Sequence, residues 1–130
     1  MLILTIRTDN PEAEIGLYED ATQLAYVTWT AHKQLAETIH LKIAQLLDTK
    51  GHTLHNLQGI ACYEGPGSFT GLRIGLTVAN ALAQGLGVPI VGAQQPAWLE
   101  SGLQSILCGK NDTIVLPFYG AEVHITAQKK

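Results

Sequence analysis

Residues Glu64-Gly65-Pro66-Gly67-Ser68-Phe69-Thr70-Gly71-Leu72-Arg73-Ile74-Gly75 put four glycines and a proline into twelve positions. An apolar, strand-like run (Gly59 to Tyr63) precedes them and a helical run from about Gly71 to Leu86 follows. The chain must therefore fold around a shaped backbone turn that delivers a strand into a helix. Pro66 fixes φ, and Ser68 or Thr70 has the chemistry to cap the N–H groups that open the helix. The same N–H groups and the positive end of the helix dipole suit an anion, so Gly67, Ser68, Thr70 and Gly71 are a candidate anion-binding turn. Capping without any ligand satisfies the same residues, and turn chemistry alone leaves both readings open.

Three motifs are excluded by what stands in the turn. A Walker A loop needs a Gly-Lys-Ser/Thr end, and the turn has no lysine. Gly-x-Gly-x-x-Gly starts at Gly65 and Gly67 but meets Thr70 where its third glycine belongs. A nucleophile elbow centred on Ser68 needs glycines where Pro66 and Thr70 stand, so a serine hydrolase is unsupported.

Upstream of the turn, Leu2 to Arg7, Glu14 to Tyr18 and Gln23 to Thr30 read as three strands with short turns, an antiparallel meander. From Ala31 to Lys50 the period becomes helical, with Leu35, Ala36, Ile39, Ile43, Leu46 and Leu47 on one face and Leu41 pointing outward. Thr30 is the expected N-cap and Gly51 the expected C′ residue. Beyond the second helix, which Gly85, Gly87 and Pro89 stop, Val88 to Gly92 reads as a buried strand and Pro96 to Leu107 as a helix. Thr113 to Tyr119 and Ala121 to Thr126 read as a closing strand pair about Gly120. The order β, β, β, α, β, α, β, α, β, β predicts one layered α/β domain over residues 1–130.

On the second helix, Arg73, Thr77, Asn80 and Gln84 share one narrow polar stripe, and apolar or small residues occupy most of the remaining circumference. Gly71, Gly75, Ala79 and Ala83 recur every four residues and form a smooth ridge. Either the first helix of this chain or a partner protein fits against that ridge.

A net charge of −3 and a pI near 5.9 supply no basic field for gripping a phosphate backbone, so no direct nucleic-acid contact is expected. Cys62 and Cys108 form no Cys-x-x-Cys pair and read as small hydrophobes in a reducing compartment. His52-Thr53-Leu54-His55 lacks a third ligand, His32 and His40 are too far apart to chelate one ion, and His124 stands in a strand candidate, so no metal site is expected. Glu12 with Glu14, and Glu19 with Asp20, read as solvated pairs at turns. The first residues have no signal-peptide form and no segment reaches the length of a membrane span, so a cytoplasmic protein is expected.

As a whole string, GPGSFTGLRIG (residues 65–75) resembles the signature of the TsaB (YeaZ) family, partner subunits in threonylcarbamoyl modification of tRNA adenosine beside the anticodon. The first strand with its Thr8 loop, His32, and the strand ending Pro89-Ile90-Val91-Gly92 match the family more weakly. The resemblance implies one lobe of the actin-like, sugar-kinase-like (ASKHA) fold, with a mixed sheet, an antiparallel meander and flanking helices. It implies a non-catalytic subunit without a cofactor of its own, a TsaD-like partner that carries the transferase site and metal, and a TsaE-like ATPase. The helices around the signature are implied to form the contact with that partner or with a second copy, through Leu35, Ile39 and Ile43 and through Gly71, Gly75, Ala79 and Ala83.

Two departures stand out. The strand that ends Asp-Thr in the family ends Arg7-Thr8 here, and the second lobe that members carry is expected to be missing. The rival reading is an enzyme: a small phosphotransferase holding phosphate at Ser68 to Gly71, or a glycoprotease-like protein.

Overall fold

The computed structural model describes residues 1–31, 34–67 and 69–118. Strands β1 (Leu2–Arg7), β2 (Glu12–Glu19) and β3 (Thr22–Thr30) form the antiparallel meander, and β4 (Gly59–Tyr63) and β5 (Ile90–Ala93) extend the sheet in parallel with β1. The order is β3-β2-β1-β4-β5. Helix α1 (Leu35–Asp48) links β3 to β4, α2 (Phe69–Leu86) links β4 to β5, and α3 (Trp98–Leu107) follows β5. This is the mixed, single-lobe α/β architecture expected from the sequence, with parallel strands joined through helices.

Side-chain alternation decides what each face of the sheet meets. Leu4, Ile6, Ile15, Leu17, Ile60 and Ile90 point into the core shared with α1 and α2. Ile3, Ala61 and Val91 point the other way, against Leu103 and Ile106 of α3. No helix among the described residues is long and apolar enough to cross a membrane.

All three helices end alike. At α1, His52 N–H donates to Leu47 O and Gly51 N–H to Asp48 O, both at 3.0 Å, with Gly51 at φ 73°. This is the Schellman pattern with glycine at C′, as the sequence predicts. Val88 N–H donates to Ala83 O after Gly87, and Lys110 N–H to Ser105 O after Gly109, in the same arrangement. The α2 end therefore draws on Val88, and β5 begins at Ile90 rather than at Val88.

Other boundaries moved for identifiable reasons. Thr30 is paired with Glu12 in the sheet, so it is not the α1 N-cap; Gln34 occupies that position without a side-chain cap. Ala36 faces outward, whereas Leu35, Ile39, Ile43, Leu46 and Leu47 are buried. Helix α2 starts at Phe69, which places Thr70 inside the first turn rather than at the cap; Ser68 and His32 lie outside the described residues.

The expected closing strand pair is not formed by 113–118. Instead this stretch is a strap that completes the β5 edge and crosses α2. Asp112 N–H donates to Ile90 O, the Asp112 carboxylate accepts from Gly92 N–H, and the Asn111 carbonyl accepts from Ile90 N–H. The Asn80 amide then pairs with both N–H and C=O of Val115. Side chains thus take the hydrogen bonds that a sixth strand would make. The expected strand Ala121 to Thr126, with Tyr119, Gly120 and His124, lies outside the described residues.

Candidate functional site

The glycine turn leaves β4 at Tyr63 and enters α2 at Phe69, and it is built against the loop that leaves β1. Arg7, at the end of β1, donates from Nε to Asp9 Oδ1 at 2.7 Å and from Nη2 to Asp9 Oδ2 at 3.3 Å. Both side chains are largely sheltered, at 14% and 6% exposure. The guanidinium also lies over the Tyr63 ring, 4.1 Å from its centre, and Tyr63 Oη donates to Pro66 O at 2.6 Å inside the turn. Trp98 of α3 meets the Tyr63 ring edge-on at 5.9 Å.

Titration follows from these neighbours. Burial disfavours the Arg7 charge, but the hydrogen bond and charge of Asp9 outweigh it and hold the guanidinium above its usual range. Burial and the Asp9 charge push the Tyr63 phenol up, with Arg7 opposing.

The small-residue ridge of α2 is filled from within. Thr8 Oγ1 donates to Gly71 O at 2.7 Å. A Cβ at Gly71 would clash with Thr8 O, and one at Gly75 would clash with Thr8 Oγ1. Ala79 and Ala83 are buried in the core. Neither alternative read from the sequence describes the two glycines, because the β1–β2 loop covers them. On α1, Leu35, Ile39 and Ile43 are 4%, 0% and 2% exposed and face the sheet of this same chain. The residues singled out for a partner contact therefore hold the two helices in place from behind. The outward surface consists of Glu37, His40, Leu41 and Ala44 on α1 and of Thr70, Arg73, Thr77 and Gln84 on α2.

Asp9 also changes the candidate anion turn. A Cβ at Gly67 would lie 2.8 Å from Asp9 Oδ2, so the turn is packed directly on a carboxylate of the chain itself. Gly71 is occupied by Thr8, and Thr70 lines an open groove of about 330 Å³ together with Asp9, Ala31, Leu35 and Ile74. Asp9 packs against Gly67 and Thr8 against Gly71, so side chains of this chain already cover two of the four turn residues.

No group of three or more His, Cys, Asp or Glu able to hold a metal occurs among the described residues. His52 lines a surface groove and His55 lies exposed in the short 3-10 turn Leu54–Asn56. Burial pushes the Cys62 thiol up, with the charges of Glu64 and Asp112 adding to it, while Cys108 is exposed.

Sequence reasoning missed Asp9, Tyr63 and Trp98 as members of this cluster. One signal was available: Arg7 and Asp9 are two apart at a strand end, where side chains of like parity share a face.

Similarity to known proteins covers much of the chain, including the glycine turn. A family model described as TsaD, tRNA N6-adenosine threonylcarbamoyltransferase, matches residues 28–101. The tRNA threonylcarbamoyladenosine biosynthesis protein TsaB of Escherichia coli (strain K12) is 31% identical over 113 residues, covering 82% of this chain and 48% of the relative. The tRNA N6-adenosine threonylcarbamoyltransferase of Geotalea uraniireducens (strain Rf4) is 34% identical over 93 residues, 72% of this chain and 26% of the relative. The solved structure of YeaZ from Pseudomonas aeruginosa superposes with a TM-score of 0.66 at 27% identity, over 72% of this chain and 43% of that one. The chain thus spans about half the length of the Escherichia coli relative it matches.

Proposed function

The chain belongs to the TsaB (YeaZ) family, and from that premise we propose that it acts in tRNA threonylcarbamoyladenosine biosynthesis as a non-catalytic scaffold lobe for a TsaD-like transferase. The observation that carries this reading is the packing of the signature turn. Pro66, Gly67 and Gly71 are pinned by Tyr63, Asp9 and Thr8, so the turn serves to fix the first turns of α2 beside α1. The exposed faces of α1 and α2 are thereby preorganised for a partner, and preorganisation lowers the ordering cost of association. The scaffold pairs with a second copy when alone and exchanges it for the TsaD-like subunit, with a TsaE-like ATPase joining the assembly. The tRNA is held by the partner, in keeping with a chain of net charge −3.

Solution mass tests this, measured by light scattering during size exclusion on the chain alone and mixed with the TsaD-like protein of the same source. A homodimer converting to a heterodimer is expected. Leu41→Glu and Thr77→Arg, both on exposed positions, should abolish the heterodimer while leaving the circular dichroism spectrum unchanged. A monomer indifferent to the partner, or undiminished association of both variants, would overturn the reading.

A further inference from the structure

We infer that Arg7 is the positioning residue of the signature turn: its guanidinium serves as a resident cation that holds Pro66 and Gly67 in place from inside the chain. Two contacts of this side chain and the onward contacts of its neighbours carry the assignment. It engages both Asp9 oxygens, so that carboxylate is neutralised on the side facing β1. Asp9 in turn packs against Gly67, where no side chain fits. The same guanidinium stacks on Tyr63, whose hydroxyl holds Pro66 O. The adjacent residue, Thr8, ties Gly71 and fills the space beside Gly75.

Arg7 thus reaches the turn along two routes, through Asp9 to Gly67 and through Tyr63 to Pro66. Both routes depend on properties that lysine lacks, a planar fork and a stacking face. The charge is secure because Asp9 offsets its desolvation. A buried carboxylate left without its cation would be driven toward water, and Gly67 would lose the surface it rests on.

Hydrogen exchange read by mass spectrometry on the whole chain tests the assignment, comparing peptides over 64–72 with peptides over β2, β3 and α3. In Arg7→Met, exchange over 64–72 should rise about tenfold more than elsewhere, the loss expected for a charged hydrogen bond. Arg7→Lys should restore part of the protection. Because Arg7→Met leaves Asp9 buried and unpaired and can fail to fold, Arg7→Met with Asp9→Asn provides the second variant. It should fold and still exchange rapidly over 64–72.

A uniform rise or no rise in Arg7→Met, or native protection of the turn in the double variant, would overturn the assignment. Only the functional consequence rests on the scaffold reading: a loosened turn should weaken association with the TsaD-like partner. A native chain that does not associate would sink that reading and leave the exchange result standing.

Discussion

Thr8 leaves no room for a side chain at Gly75, and the energetics of that close approach can be isolated. Gly75→Ala drives a methyl into the Thr8 hydroxyl, and overpacking of this kind costs about 1–3 kcal/mol. Trimming Thr8 to Ala in the same chain should recover part of that loss, a coupling that urea unfolding of the two single variants and the double variant would measure. Equal, additive losses would show that the two residues do not meet. Cys62 gives a pH prediction. Its thiol is pushed up by burial, so above the ordinary thiol value of 9.0 the unfolded chain releases a proton that the folded chain retains. The raised folded value means that this contribution is complete below pH 9.0 and declines as pH rises, in the same direction as Tyr26, whose phenol is also pushed up by burial and by Glu14. The urea midpoint should fall on the alkaline side, and less steeply in Cys62→Ala.

At the scale of elements, the side chain of Asn80 ties the strap over 111–118 to α2. Asn80 of α2 supplies both a donor and an acceptor to Val115, at 2.8 and 2.9 Å. Asn80→Leu leaves two backbone groups without their partner, and about 1–3 kcal/mol is expected for each such group that stays buried. Exchange at the Val115 amide should accelerate in this variant while the amides of β1 and β4 keep their rates; unchanged protection at Val115 would contradict the pairing. Ile114, Leu116 and Phe118 are exposed along the strap, Leu116 at 69%. The sequence pattern of that stretch is strand-like, and the physical reason it forms no ladder is that Asn111 and Asp112 already occupy the hydrogen bonds of the β5 edge. Helix ends were more legible. Gly51 and Gly87 adopt φ of 73° and 70°, which only glycine takes without strain, so their position in the sequence marks each stop. The α1 start was not legible in the same way, because Thr30 has the chemistry of a cap and the sheet claimed it first.

Across the whole molecule, the buried faces of the helices hold the fold, and their outward faces are the ones proposed for association. Ile39→Glu puts a charge at a fully buried position and should prevent folding, whereas Leu41→Glu, at 56% exposure, should keep the unfolding midpoint and lose the partner. Circular dichroism melts beside light scattering distinguish the two, and a folded Ile39→Glu would refute the internal role of that face. The sequence by itself determined the turn, the meander, the order of strands and helices as far as α3, and the two glycine stops named above. Each depends on residues a few positions apart, and backbone sterics and side-chain periodicity act within that range. Only the tertiary structure decided that Arg7 pairs with Asp9 beneath Tyr63, that Thr8 rather than a helix closes over Gly71 and Gly75, and that Leu35, Ile39 and Ile43 face their own sheet. Those outcomes join residues far apart in sequence, Thr8 and Gly71 by 63 positions. A periodic apolar face states that something must cover it, and the packing of the whole chain selects which surface does.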